Sequence, residues 1–524
     1  MPVRPFDIAR TRRSIFEALL DARKRFGGKK EILEDADRAP ITYDKLILGA
    51  MVLGRKLAAI SSPGERVGLM IANSNGGMVA FFGMLAFGRT PAMLNFTAGS
   101  RNIRAACEAG QMKTIVTSKK FVLLAGLQDL ITDLEKDLSI VYLEDLRDSL
   151  GGIDKVRGLV EANLAGIIVP KVDPDSVGVM LFTSGTEGAP KGVALSHANI
   201  VANVEQVAGH VDLFTTDIVF NPLPIFHSFG LTGGTLLPLL EGMKCVLFPS
   251  PTRPKEIVKM VRETRSTILF ATDTFMNQYA RQADDGDLSS LRFVVCGAEK
   301  VKDETRQMML ARFDCPIVEG YGATEASPVI AVNTPDSGNR PGSVGRFVPG
   351  VEWKLESIPG IEGGGRLYVR GPNMMLGYVR VDAPGEIQPL PSGWHDTGDV
   401  VSIDKEGYVV IRGRVKRFAK IGGEMVSLTA VEGYASALWP DNAHVALALN
   451  DPKKGEQVIL LTDRKEAGRP ELQAWYRENG VAELYLPRKI IEVDAIPVLG
   501  TGKTDYVSAQ KMLEAKIAET AKAA

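Results

Sequence analysis

The sequence predicts an α/β protein: a large N-terminal domain of α/β sheets plus a small β unit, followed by a small α+β C-terminal domain. Three textures along the chain predict it. Between about Arg66 and Gly322, short runs rich in Val, Ile and Leu alternate with stretches of helical spacing. Between about Gly342 and Arg414, short strands joined by Gly-rich and Asp-Gly-type turns take over. Beyond Arg414, a Lys/Arg-rich segment leads into a closing stretch of mixed strand and helix.

In the first region the apolar runs are RVGLMI from Arg66, TIVTS from Thr114, SIVYL from Ser139, GVMLFT from Gly178, CVLFP from Cys245, TILFAT from Thr267 and RFVVCG from Arg292. Runs of this length separated by helical stretches indicate a largely parallel sheet with helices on its faces. The second region carries VEWKLES, GRLYVRG and VVSIDKEGYVVIRGR, which read as a small antiparallel unit. After GRVKRFAKIGGEMVS come two predicted helices, LTAVEGYASAL and ELQAWYREN, and two strands, HVALAL and VILLTD. The domain boundary is placed near Lys416, giving residues 1–415 and 416–524. No fixed-period repeat or low-complexity tract interrupts this order.

With 524 residues the chain exceeds one ordinary core, and roughly two to four structural units are expected. The 62 basic and 63 acidic residues give a net charge of −1, which leaves no overall field to hold nucleic acid or an anionic membrane, so any polyanion must bind locally. Cys107, Cys245, Cys296 and Cys315 are widely spaced with no C-x-x-C pair, so neither a disulfide framework nor a zinc site is expected. The basic start MPVRPFDIARTRR has no apolar stretch behind it long enough for a signal peptide. The most apolar region, Val79 to Phe87, falls far short of the ~20 residues a spanning helix needs. A cytoplasmic protein is expected, with peripheral association at the inner membrane left open.

The most informative stretch is Thr183 to Gly192, TSGTEGAPKG, directly after the strand GVMLF. Thr183, Ser184 and Thr186 supply hydroxyls, Gly185 and Gly188 open the backbone, and Lys191 adds a positive charge, a combination that suits a polyphosphate. It is not a Walker A loop. Pro190 and Gly192 stand where that motif has its second Gly and its metal-binding Ser or Thr, so the metal needs another ligand. The following GVALS reads as a second strand, so no helix N-terminus meets the phosphates directly. A solvated Gly/Ser/Thr turn between strands is the plainer alternative.

These ten residues resemble the signature of the acyl-adenylate-forming superfamily, which includes acyl-CoA synthetases, luciferases and nonribosomal adenylation domains, and the superfamily's other motifs follow in its order. The resemblance implies the adenylate-forming enzyme fold with a mobile C-terminal domain. It implies that Thr183 to Gly188, Glu187 included, and Lys191 cradle the phosphates of ATP. Gly297-Ala298-Glu299 would pack on adenine, Tyr321-Gly322-Ala323-Thr324-Glu325 would place Thr324 at the α-phosphate and Glu325 at Mg²⁺, and Asp399, paired with Arg414, would hold the ribose. Lys503, in PVLGTGK, would reach the reacting carboxylate and α-phosphate; Lys416 would be a hinge that exchanges Lys503 for the Gly422-Gly423 turn at the pantetheine channel. Taken one at a time, Glu325, Asp399 and Lys503 have ordinary readings as capping or solvated groups, as Lys416, Arg417 and Lys420 do as a solvated basic linker.

A closer resemblance is to the acyl-acyl carrier protein synthetase domain of bacterial 2-acylglycerophosphoethanolamine acyltransferases. It is carried by ANVEQV from Ala202, LPIFHSFGLTGG from Leu223, FPSP from Phe248, GAEK from Gly297, PGSVGR from Pro341 and KRFAKIGGEMVSL from Lys416. It implies a long-chain fatty acid ligase that makes acyl-AMP and then a thioester on acyl carrier protein. None of the five histidines has Asp five positions on, so the His-x4-Asp acyltransferase half of those proteins is not expected. Coenzyme A ends in the same phosphopantetheine thiol, so a fatty acyl-CoA synthetase is the alternative, and a non-catalytic acyl or nucleotide-binding homologue a second one. His227 resembles a position lining the carboxylate end of the acyl tunnel; a core histidine between Phe226 and Phe229 is the other reading. The GLTGG run from Gly230 would admit a ligand close to the backbone or allow tight helix packing.

Overall fold

The structure, a computed structural model, describes the chain apart from residues 1–4, 184–189, 337, 359–360, 362, 422–423, 452–454, 499–503 and 524 and the side chains of 451, 455 and 518–523. Ser184, Gly185, Thr186, Glu187, Gly188, Gly422, Gly423 and Lys503 therefore lie outside the described residues. The chain forms two compact units, Met1–Glu352 with Arg370–His395 and Trp353–Val369 with Asp396–Ala524.

Two sheets organise the first unit. In one, the strands run from edge to edge as Arg346–Phe347, Val329–Val332, Ile317–Gly322, Phe293–Cys296, Ile268–Ala271, Ile218–Asn221, Lys244–Leu247, Glu31–Glu34 and Ile41–Thr42. From Ile317–Gly322 to Glu31–Glu34 every pairing is parallel. In the other the order is Ala383–Gln388, Gly377–Arg380, Lys191–Ser196, Val177–Thr183, Thr90–Met93, Arg66–Leu69, Thr114–Thr117 and Ser139–Tyr142. Its parallel part runs from Val177–Thr183 to Ser139–Tyr142. Strands such as Thr90–Met93, Thr114–Thr117 and Ile268–Ala271 are buried at every position, which is why they read as unbroken apolar runs rather than alternating ones.

The helices between strands start at side-chain caps. Ser14 and Glu17 form a capping box at Ile15–Phe26, and Ser196 with Asn199 does the same at His197–Ala208. The apolar segment around Phe81 and Phe82 is the helix Asn75–Ala86, buried on all sides within the first unit. It lies against Tyr43–Ala59 at Gly54, where an added Cβ would strike the carbonyl of Gly83. An all-round apolar helix is what such burial requires. Among the described residues no helix is long and apolar enough to cross a membrane.

One expectation is corrected here. The antiparallel region between Gly342 and Arg414 is not a single unit: the hairpin of Gly377–Arg380 and Ala383–Gln388 joins the second large sheet, where Tyr378 pairs with Val193. The physical reason is the edge of Lys191–Ser196, whose backbone groups would otherwise face away from any partner. Glu352–Glu356, Gly365–Arg370, His395–Ile403 and Val409–Arg414 do form a four-stranded sheet of their own.

The second unit adds a sheet ordered Glu424–Ser427, Phe418–Ile421, Gly455–Thr462 and His444–Asp451, with Lys489–Glu492 parallel to Gly455–Thr462. Helices Leu428–Leu438 and Arg469–Glu478 cover it, closing a core around Trp439 and Tyr476. Both helices and both long strands fall on the segments whose periodicity predicts them.

Candidate active site

In the first unit Thr183 ends one strand, Lys191 begins the next, and the two residues face each other in antiparallel register. The Thr183–Gly192 motif thus begins and ends in paired antiparallel strands, and the backbone from Lys191 is strand, as the sequence indicates. Lys191 is the motif's cation, and its Nζ stands 5.7 Å from the centre of the Tyr378 ring.

Tyr321 and Gly322 close the strand Ile317–Gly322, and a short 3₁₀ turn, Thr324–Ala326, follows. Gly322 is required by close approach, since a Cβ there would meet the carbonyl oxygen of Pro328. The turn is held from behind by fully buried amides. Asn373 Nδ2 donates to the carbonyls of Ala326 at 2.9 Å and Val329 at 3.1 Å, Ser327 Oγ donates to Asn373 O at 2.9 Å, and Gln206 Nε2 donates to Asn373 Oδ1 at 3.3 Å. Asn203 adds a reciprocal pair with Val329, at 2.8 and 3.0 Å. A satisfied buried network of this kind fixes backbone position closely.

On that turn Glu325 Oε1 accepts a hydrogen bond of 2.7 Å from Tyr378 Oη, and its backbone carbonyl accepts from Met375 N at 2.8 Å. The pairing of Gly377–Arg380 with Lys191–Ser196 brings Tyr378 to both Lys191 and Glu325. Tyr378 carries no mark in the sequence beyond a Gly-Tyr pair opening an alternating run, which names no partner. As a metal site, Glu325 offers one carboxylate. Among the described residues no group of three or more His, Cys, Asp or Glu could hold an ion. That donor set fits Mg²⁺, which retains waters and takes phosphate oxygens beside one or two carboxylates.

Gly297, Ala298 and Glu299 follow the strand Phe293–Cys296, and Ala298 has φ 74°, a left-handed conformation costly for a residue with a Cβ. Two carboxylates at the first turn of helix Asp273–Gln282 hold this segment. Glu299 accepts from Thr274 N at 2.7 Å and Thr274 Oγ1 at 3.0 Å, and Asp273 Oδ1 accepts from Lys302 N at 3.0 Å. Burial pushes the Asp273 carboxyl up to about 6, and the nearby charge of Glu299 acts in the same direction. Asp273 and Thr274 were not legible as site residues, because their meeting with the loop spans two strands.

His227 is half-buried with its ring 4.6 Å from that of Phe226, in a tilted arrangement. The segment behind it, Phe229–Leu236, is a π-helix. Its glycines serve close packing: a Cβ on Gly230 would strike the carbonyls of Leu223 and Pro224, and one on Gly234 the side chain of Asn221. Asn221 Nδ2 in turn donates to Gly230 O at 2.9 Å and to Thr235 Oγ1 at 3.0 Å.

In the second unit, Asp399 and Arg414 are register partners on adjacent strands, and Arg414 Nε lies 3.1 Å from Asp399 Oδ1. Asp399 is buried and Arg414 is exposed. Lys416 is an exposed residue of the 3₁₀ turn Val415–Arg417. Its neighbour Arg417 is no solvated linker residue: it pairs with Glu432, donates to Ala446 O at 2.8 Å and stands 3.9 Å from the Tyr506 ring centre.

The fold is that of adenylate-forming enzymes. The structure of ATP-bound MatB from Rhodopseudomonas palustris superposes with a TM-score of 0.82 at 22% identity, over 96% of this chain and 99% of that one. The chain belongs to the AMP-binding enzyme family, whose sequence model matches residues 20–379. Among curated relatives, a medium-chain fatty-acid–CoA ligase of Escherichia coli (strain K12) is 28% identical over 394 residues, 73% of this chain and 68% of the relative. A long-chain-fatty-acid–CoA ligase of Bacillus subtilis (strain 168) is 26% identical over 537 aligned positions, 95% of this chain and 94% of the relative.

Proposed function

We propose that the protein is an ATP-dependent fatty acid ligase that forms acyl-AMP and then an acyl thioester of coenzyme A. The underlying class, an AMP-forming acid–thiol ligase, follows from the family to which the chain belongs. The observation that carries the finer reading is that relatives spanning most of this chain are named as fatty-acid–CoA ligases of two chain-length classes. These names put coenzyme A ahead of the carrier protein that the motif resemblance puts first. Carrier protein remains the second reading, favoured by the segment KRFAKIGGEMVSL from Lys416.

Forming the mixed anhydride brings a carboxylate and a triphosphate together, so compensation of negative charge dominates the chemistry. In this reading Thr183 to Gly188 and Lys191 hold the phosphates, Thr324 positions the α-phosphate and Glu325, braced by Tyr378, is the ligand for Mg²⁺. Bound there, the ion would offset charge on the phosphate oxygens. Gly297 to Glu299 with Tyr321 and Gly322 form the adenine shelf, and Asp399 with Arg414 is the ribose pair. His227 lines the carboxylate end of the acyl site. Lys503 stabilises charge in the first step, and rotation about Lys416 replaces it with Gly422 and Gly423 for the second.

The test is to follow ATP-to-AMP conversion with fatty acids of graded length, offering coenzyme A and holo carrier protein in parallel. Thioester formation with coenzyme A is expected. A clear preference for holo carrier protein would move the acceptor assignment to the second reading, and absence of pyrophosphate release with every acid would refute the adenylation chemistry.

A further inference from the structure

The helix Gly152–Asn163 and the short Ala165–Ile168 that follows it reverse the usual amphipathic arrangement. Their inward side is small and charged. Gly158 packs so closely on helix Tyr43–Ala59 that a Cβ would run into Val52, and Ala162 and Ala165 are buried beside it. Asp154 pairs with Lys56 at 3.0 Å, and Glu161 accepts from Arg55 Nε at 3.0 Å and Arg157 Nε at 2.9 Å.

The outward side is aliphatic. Ile153, Val156, Leu159, Val160, Leu164 and Ile167 are between 44% and 85% exposed. Within Gly152–Asn163, at ~100° per residue, Ile153, Val156, Leu159 and Val160 fall on one stripe about 120° wide, opposite Gly158 and interrupted by Gly152 and Asn163, and Leu164 and Ile167 follow past the helix end. Both acidic side chains of the segment are turned inward to basic partners; Lys155 is exposed at one flank of the stripe, Arg157, paired with Glu161, stands at the other, and Lys171 follows it. The hollow beside Ala165 and Gly166 is lined by Arg23, Lys24 and Lys29 and by Asp21 and Asp44, a net excess of one cation at that end.

We propose that residues 152–168 form a docking surface for an anionic lipid bilayer, on which the protein sits without crossing. Aliphatic side chains of this size enter the boundary between headgroups and acyl chains, while basic flanks meet lipid phosphates. Charge complementarity selects this occupant over a second copy of the chain, because a two-fold contact would set one basic rim against another. The proposal stands on the surface alone and is independent of the ligase reading.

The experiment is co-sedimentation of the full chain with vesicles of phosphatidylcholine, alone or mixed with phosphatidylglycerol. Wild type is expected to sediment with the mixed vesicles, less so at high salt. The combined Ile153→Ser, Val160→Ser, Ile167→Ser variant should partition about tenfold or more weakly. Lys155→Glu with Lys171→Glu should lose only the preference for the anionic lipid. An unchanged melting temperature shows that the variants are folded. Wild type remaining in the supernatant, or serine variants that bind as wild type does, would overturn the proposal. So would a concentration-dependent dimer abolished by the serine substitutions, which would identify the occupant as a second copy.

Discussion

Tyr378 Oη donates to Glu325 Oε1 at 2.7 Å, and the same side chain presents its ring to Lys191 Nζ at 5.7 Å. One residue therefore links a carboxylate on the Thr324–Ala326 turn with an ammonium at the start of strand Lys191–Ser196. The phenol orients one carboxylate oxygen, and Oε2 is the one that would meet an ion. Tyr378→Phe removes the donor and keeps the ring. A hydrogen bond to a charged group is worth about 1.5–3 kcal/mol, so the dissociation constant for Mg·ATP, measured by calorimetry, should rise by about tenfold or more. Unchanged affinity and magnesium dependence would show that Glu325 needs no bracing.

Lys503→Ala is expected to slow adenylation by at least ~10²-fold, the scale of one lost transition-state charge contact. Thioester formation from supplied acyl-AMP should survive. Equal loss in both half-reactions would contradict the division of labour. Lys416→Pro, which restricts the proposed pivot, should slow the second half-reaction more than pyrophosphate exchange.

Asp273 predicts a pH effect on stability. Its carboxyl is raised from the ordinary 3.8 to about 6 in the fold, so the folded protein holds a proton that the unfolded chain releases earlier. The stabilisation is full below about 4 and is lost as pH rises through about 6. At pH 8 the buried carboxylate costs on the order of 2–3 kcal/mol. Asp273→Asn stays neutral, so its stability relative to wild type should improve by about 2 kcal/mol between pH 4.5 and pH 8, measured by denaturant unfolding. A difference independent of pH would refute the assignment.

Asn373→Ala should destabilise the first unit by about 2–4 kcal/mol, since it removes a donor from the carbonyls of Ala326 and Val329, of which Val329 keeps the one from Asn203, and opens a cavity. Because those carbonyls flank the turn that carries Thr324 and Glu325, ATP affinity should fall as well. Loss of stability with intact ATP binding would show that the network supports the core alone.

Much of the fold is legible because it is written locally. The runs at Val177–Thr183, Ile268–Ala271 and Phe293–Cys296 are strands in the structure, and LTAVEGYASAL and ELQAWYREN are helices. Glu31–Glu34 was not legible: a four-residue strand with charge at both ends resembles a loop until Lys244–Leu247 pairs with it. Of the candidate site, Thr183, Lys191, Thr324 and Glu325 stand out as residue types in a recognisable order, whereas Tyr378, Asp273 and Asn373 have no local mark.

By itself the sequence determined which segments are strand or helix, the order of the motifs and the kind of chemistry they suit, because propensity, periodicity and motif spacing act over a few residues. Only the tertiary structure decided that a hairpin would carry Tyr378 to Glu325, that Asp273 would hold the loop at Ala298, and that the aliphatic side of Gly152–Asn163 would face outward. The reason is geometric. Periodicity tells which side chains share a face, but strand order and helix packing decide what that face meets.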